Sequence, residues 1–200
     1  AVVNEIEEKY KWMDVVFGTH NIHNLPKLIS EAIDGNELVI EVFSKEGDVV
    51  ENLPVRRDNK YKAYVNIMYG CDKFCTYCIV PYVRGRERSR MPKDIIEEVR
   101  NLAKEGYKEI TLLGQNVNSY LREENRKGIE IEEYEGVHSF ATLLRAINKI
   151  EGIERIRFIS PHPKDFTDDV IQAIAECDKV CKLVHLPLQS GNSRVLKAMN

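Results

Sequence analysis

Apolar positions recur along the chain with two periods in turn. Across residues 63–69, Ala63, Val65 and Ile67 alternate with Tyr64, Asn66 and Met68, which predicts a strand with one buried face. Residues 92–105 switch to helical spacing: Ile95, Val99, Leu102 and Ala103 share a face, Pro92 opens the run, and Gly106 follows it. The pattern then repeats. Residues 109–113 read as a strand and 139–150 as a helix, with Ser139 as its cap and Phe140, Leu143, Leu144 and Ile147 buried. Residues 155–159 and 167–176 make a third strand and helix, and 182–186 with a helix from Ser193 begins a fourth pair. Strands alternating with helices imply an α/β fold with parallel pairing through right-handed crossovers. Four such units form part of a (β/α) barrel, which runs to about 250 residues when complete.

Before Asp58 the pattern is different. Residues 4–11 read as an acidic helix and 14–17 as a short strand; a turn over 18–21 leads to a helix whose buried face is Leu25, Leu28, Ile29 and Ile33. Residues 35–62 are mixed, charged and broken by proline, and read as a connection. The expected domains are 1–57, the last part of an α/β domain plus connector, and 58–200, a truncated core of β-α units. Residues 117–137, with Glu123, Glu124, Glu130, Glu132, Glu133 and Glu135, read as a solvated insertion.

The composition fits a globular protein: 200 residues, 43% hydrophobic and 30% charged. A formal net charge of −3 excludes a chain that is basic throughout, so any contact with nucleic acid must come from a local patch. No apolar run approaches the roughly 18 residues of a membrane-spanning helix, and the amino end has no signal-peptide layout. The chain begins at Ala1 and ends in what reads as an unfinished helix, so it is expected to be a fragment.

Five cysteines, an odd number, argue against a disulfide framework. Cys71, Cys75 and Cys78 lie within eight residues in a C-x3-C-x2-C spacing, directly after the first core strand. That places them at the carboxyl ends of the strands, where β/α folds keep their chemistry. Thiolates suit zinc or iron–sulfur clusters. A zinc knuckle needs a fourth ligand from a distant Cys or His, since His23 and His138 are far away in sequence. A four-iron cluster on three thiolates leaves one iron open for catalysis. Cys177 and Cys181 read as buried free thiols. Arg84, Arg86, Arg88 and Arg90 fall at every second position; in extended chain they would point one way, as a comb for RNA phosphates or a plain solvated charge run. Arg56 and Arg57 read as part of the solvated connector.

With Tyr77 before its last cysteine, this motif resembles the signature of radical S-adenosylmethionine enzymes. Residues 64–90, 112–120, 157–163, 185–191 and 18–26 resemble the methylthiotransferase branch, of the MiaB type that modifies tRNA. The resemblance implies that Cys71, Cys75 and Cys78 hold a four-iron four-sulfur cluster whose open iron chelates S-adenosylmethionine. One-electron cleavage would then give a 5′-deoxyadenosyl radical that takes hydrogen from carbon 2 of an isopentenylated adenosine beside the tRNA anticodon. A methylthio group replaces that hydrogen, its methyl coming from a second S-adenosylmethionine. The resemblance further implies a second four-iron cluster whose cysteines lie upstream of Ala1, so this chain alone is not expected to complete methylthiolation. It implies tRNA and a reducing electron donor as partners, no membrane, and a cytoplasmic site. Tyr77 matches an aromatic near the cofactor, or is a packing residue; Gly114, Gln115 and Asn116 match a motif for the methionine amino group, or form a turn. Ser160, His162, His185 and Gln189 face the same rim as cofactor or substrate contacts, or as structural hydrogen bonds. No residue is singled out as a general acid, base or nucleophile. A threonylcarbamoyl-adenosine in tRNA or a ribosomal protein as substrate, and a metal-bearing RNA-binding module without catalysis, remain the alternatives.

Overall fold

The computed structural model describes residues 2–35, 37–42, 49–51, 53–122 and 134–200. Glu123, Glu124, Glu130, Glu132 and Glu133 of the expected insertion lie outside them. The chain divides into two compact units, Ala1–Pro54 and Val55–Asn200.

In the first unit α1 (Val2–Lys9) precedes β1 (Val15–Phe17), α2 (Leu25–Gly35) and β2 (Val39–Glu41). β1 and β2 pair in parallel, Val15 opposite Val39, so the connector expected from Gly35 onward begins with a strand. The apolar pair Val39 and Ile40 supplies it. α2 buries Leu28 and Ala32, one stripe at i, i+4, while Ile29 and Ile33, expected on the buried face, are 43% and 74% exposed. A two-stranded surface is too narrow to cover a wider stripe. The turn between β1 and α2 closes on Glu41, whose carboxylate accepts from Asn21 at 2.6 Å and Asn24 at 3.0 Å. Those two amides, Asn24 first, hold its pKa below the ordinary carboxylate value.

The second unit runs β3 (Lys62–Asn66), β4 (Met68–Tyr69), α3 (Val80–Arg84), β5 (Arg88–Ser89), α4 (Pro92–Lys104), β6 (Glu109–Leu113), α5 (Phe140–Asn148), β7 (Arg155–Phe158), α6 (Asp168–Glu176) and α7 (Ser193–Ala198). Strands β3, β6 and β7 form a parallel sheet in that order. Ala63, Val65, Ile110, Leu112, Ile156 and Phe158 join Ile95, Val99, Leu102, Leu143, Leu144, Ile147 and Val170 of α4, α5 and α6 in one core. Ser139 caps α5 and exchanges hydrogen bonds with Thr142, and Phe140 meets Phe158 edge to face at 5.3 Å. At the start of the sheet Glu109 lies between cations of both neighbouring strands: Arg155 at 2.9 Å, Arg157 at 3.4 Å and Lys62 at 3.6 Å.

Two expectations are corrected here. The strand over 63–69 is two elements: its alternation stops at Ile67, both Ile67 and Met68 are buried, and β4 leaves the sheet to pair antiparallel with β5. The fourth strand over 182–186 does not form. Val180 makes an isolated parallel bridge to Ile156, after which Lys182 turns back to donate to the terminal carbonyls of α6 and Leu183 is left 67% exposed. Among the described residues no helix is long and apolar enough to cross a membrane.

Candidate functional site

The cysteine loop leaves the carboxyl end of β3 through the β4–β5 hairpin. Gly70 has φ +77°, and a Cβ there would lie 2.0 Å from the carbonyl oxygen of Arg86, so only glycine lets the hairpin's two backbones come this close. Its N–H donates to Gln115 Oε1 at 2.6 Å, and the N–H of Cys71 donates to the Gly85 carbonyl at 3.2 Å. Gly114 is held by a close approach alone, since a Cβ would meet Met68 Cγ at 2.6 Å and the Val117 Cα at 3.2 Å. The loop that follows β6 is thereby pressed against the hairpin that carries Cys71.

Cys71 is buried and Cys75 and Cys78 are half-buried; none is in a disulfide. Burial pushes the Cys71 thiol up, a backbone hydrogen bond at Lys73 pulls it down, and Glu87 and then the other two cysteines push it further up. Cys78 N–H donates to the Cys75 carbonyl at 2.8 Å, a tight turn between the last two thiols. Among the described residues no three His, Cys, Asp or Glu side chains converge as ligands of a single ion do. An iron–sulfur cluster takes each thiolate on a separate iron, and three soft donors of one kind on one ordered loop fit that demand.

Behind the loop lies a buried polar knot that pattern reading missed. Asp165, Asn116 and Glu87 are all buried. The Asn116 amide donates to Asp165 Oδ2 at 2.6 Å and to Glu87 Oε1 at 3.0 Å. Lys73, inside the cysteine loop, reaches Asp165 at 2.7 Å; Arg122 pairs with the same carboxylate. Glu87 also accepts from the Asp72 N–H at 3.3 Å. Among the described residues the buried Asn116 Oδ1 has no hydrogen-bond partner. One sequence signal was available: Glu87 is a lone carboxylate among four arginines, the mark of an internal partner. Lys73 and Asp165, 92 residues apart, left none.

The Radical SAM superfamily model matches residues 65–200. The chain belongs to the radical SAM superfamily. Several curated relatives to which the chain is similar are named tRNA-2-methylthio-N(6)-dimethylallyladenosine synthase. The one from Thermoanaerobacter pseudethanolicus is 55% identical over 199 residues, all of this chain and 40% of the relative. That from Clostridium botulinum is 54% identical over 200 residues, 42% of its length, and that from Shouchella clausii 55% identical over 199 residues, 36% of its length. The chain thus spans about two-fifths of the relatives it matches. The solved radical S-adenosylmethionine methyltransferase TsrM from Kitasatospora setae, with cobalamin and a 4Fe–4S cluster bound, covers 62% of this chain at 16% identity and a TM-score of 0.44, too loose to carry any argument.

The other expected residues of this radical SAM chain are spread over the rim. Tyr77 is exposed and donates to Gln189 Oε1 at 3.1 Å; partial burial and then Cys75 push its phenol up. Gln115 spends an acceptor on Gly70, while that of Asn116 has no partner among the described residues. Ser160, exposed after β7, takes left-handed backbone at φ 59°, as does Gln189 at φ 64°. His162 exchanges backbone hydrogen bonds with the Asn118 side chain at 2.7 and 3.0 Å, and burial, then Lys73 and Lys164, push its imidazole down. His185 is exposed.

The arginine comb does not form. Gly85 at φ 72° turns the chain between α3, which ends at Arg84, and β5, so residues 84–90 are not one extended run. Arg84 is exposed, Arg86 lies over the Phe74 ring, and Arg88 reaches back to the Arg84 carbonyl at 3.2 Å. Arg90 is buried, bonded to the Asn66 carbonyl at 2.6 Å and to Glu98 at 2.8 Å. Arg57, expected in solvent, takes the other oxygen of Glu98 at 2.8 Å, so Glu98 joins two arginines; Arg56 pairs in solvent with Asp58. Cys177 is buried in the core and Cys181 half-buried beside it.

Proposed function

We propose that this chain is the radical-generating core of a tRNA methylthiotransferase that modifies N6-dimethylallyladenosine next to the anticodon. The observation that carries it is the set of three cysteines on one ordered rim loop, in a chain about 55% identical throughout to synthases of that name. The three-stranded parallel sheet is read as a segment of a (β/α) barrel, and Ala1–Pro54 as the tail of a methylthiotransferase domain. Cys71, Cys75 and Cys78 would hold a four-iron four-sulfur cluster. When bound, the cluster with S-adenosylmethionine supplies reductive sulfonium cleavage, the source of the carbon-centred radical.

The protein's own part is positioning. Gln115 fixes Gly70 and hence the start of the loop, and Lys73 ties its middle to Asp165. Asn116 Oδ1 offers a pre-set acceptor to the methionine amino group of the cofactor. Tyr77, Gly114, Ser160 and His185 are the further cofactor contacts, and Arg84 and Arg86 the remaining candidates for RNA. The partners are tRNA and a reducing electron donor, in the cytoplasm. The test is anaerobic iron and sulfide reconstitution of this chain and of Cys75→Ala. Wild type should bind iron, change its EPR spectrum when S-adenosylmethionine is added, and release 5′-deoxyadenosine under dithionite; the variant should do none of these. A saturated zinc site, or a cluster whose spectrum ignores S-adenosylmethionine, overturns the reading.

A further inference from the structure

Beside the thiols the same loop builds a short ladder of flat groups. Phe74, directly before Cys75, is held at φ 48°, a region non-glycine residues enter only when their surroundings fix them there. The guanidinium carbon of Arg86 lies 4.8 Å from the Phe74 ring centroid, and Asp72 holds Arg86 at 3.3 Å. Tyr82 of α3 meets Phe74 edge to face, centroids 5.9 Å apart and rings at 86°. The ladder therefore runs from a pinned guanidinium, through a fixed ring, to a second ring that is 75% exposed. Arg84, also exposed, closes α3 two residues further on.

So exposed an aromatic, on a short helix beside the cysteines, contributes little to the core. The ring is oriented by its perpendicular contact with Phe74, and most of its surface meets water. Resting on the reading above that RNA is the substrate, we propose that Tyr82 is a stacking platform for an unpaired base of that RNA, with Arg84 on the neighbouring phosphate. Single-stranded RNA is recognised by splaying bases onto aromatic faces, and arginine beside such a face supplies the phosphate contact. The charge fits as well: in a chain of net charge −3, Arg84 and Arg86 follow the ring within four residues, Arg86 held by Asp72 against Phe74. An apolar protein partner would settle on Ile79, exposed at the cap of the same helix, and on Val83, exposed within it, as readily as on Tyr82. The two occupants thus differ in whether they need a flat ring or only apolar area.

The iron-loaded chain is titrated anaerobically with a fluorescein-labelled anticodon stem-loop RNA, comparing wild type with Tyr82→Ala, Tyr82→Leu, Tyr82→Trp and Arg84→Gln. Loss of the ring should weaken binding about tenfold in both the Ala and Leu variants, with Trp within about twofold of wild type. Arg84→Gln should reduce the salt slope by about one. A 2-aminopurine in the loop should be quenched on binding wild type and not on binding Tyr82→Ala. Melting temperatures of the Tyr82 variants should match wild type, separating lost contact from lost fold. Equal affinity of wild type and Tyr82→Ala, or a Leu variant that binds as well as Trp, overturns the stacking role. A wild-type chain without affinity for the RNA at any salt overturns the RNA reading itself, and this inference with it.

Discussion

Replacing Asp165 by Ala removes a carboxylate shared by three side chains, and the cost follows from what each loses. Lys73 reaches its two oxygens at 2.8 and 2.7 Å, Asn116 donates at 2.6 Å, and Arg122 completes the set. Deleting one member of a buried pair costs about 3–5 kcal/mol, because the partner's charge stays behind uncompensated. The side chains of Lys73 and Arg122 keep 19% and 32% exposure, so water recovers part of both charges. The low end, about 3 kcal/mol, is therefore expected. At about 2–4 °C per kcal/mol for a domain of this size, the melting temperature should fall by about 6–12 °C, read by circular dichroism. Lys73 sits between Cys71 and Cys75, so Cys75 of the metal-free variant should also react faster with a thiol reagent. Adding Lys73→Met removes the stranded ammonium and should recover about 1 kcal/mol or more, a coupling that a double-mutant cycle reads directly. A fall of less than about 2 °C with unchanged thiol labelling would refute the idea that this knot holds the loop.

Two further outcomes are expected. Gly70→Ala forces an L side chain into positive φ, at about 1–3 kcal/mol, and into the Arg86 carbonyl; melting temperature and iron bound per chain after reconstitution should both drop, and no change in either counts against the hairpin geometry. At Glu109, burial raises the pKa, but the Arg155 hydrogen bond and then the Lys62 and Arg157 charges prevail and hold it low. A carboxylate held low stabilises the fold above its unfolded pKa, about 4.3, and the gain is lost as pH falls through the lower folded value. Urea melts of Glu109→Gln from about pH 7 to pH 3 should accordingly show lower stability at neutral pH and a flatter acid limb than wild type, and parallel curves would contradict this.

What was legible in the sequence is what repeats locally. The spacing of Cys71, Cys75 and Cys78, the bounds of β6, the cap at Ser139 and the buried faces of α4 and α5 all come from short-range pattern. Alternation misread Met68 because the chain turns into a hairpin there, and a turn overrides period two. It misread residues 182–186 because Lys182 is drawn to the end of α6, an attraction apolar content does not report. The arginines at every second position looked like one face only under an assumed extended chain, which Gly85 breaks. The knot of Lys73, Glu87, Asn116 and Asp165 joins three loops, and no window along the chain spans it.

The Asn116 amide has a consequence of its own. Each of its two hydrogens points to a different carboxylate, Glu87 or Asp165. Rotating the group by half a turn would set its oxygen against both anions, so the flip open to most asparagines is closed here. The carbonyl oxygen therefore has a fixed heading before any ligand arrives. An aspartate of the same shape would set an acceptor against both carboxylates and lose both hydrogen bonds.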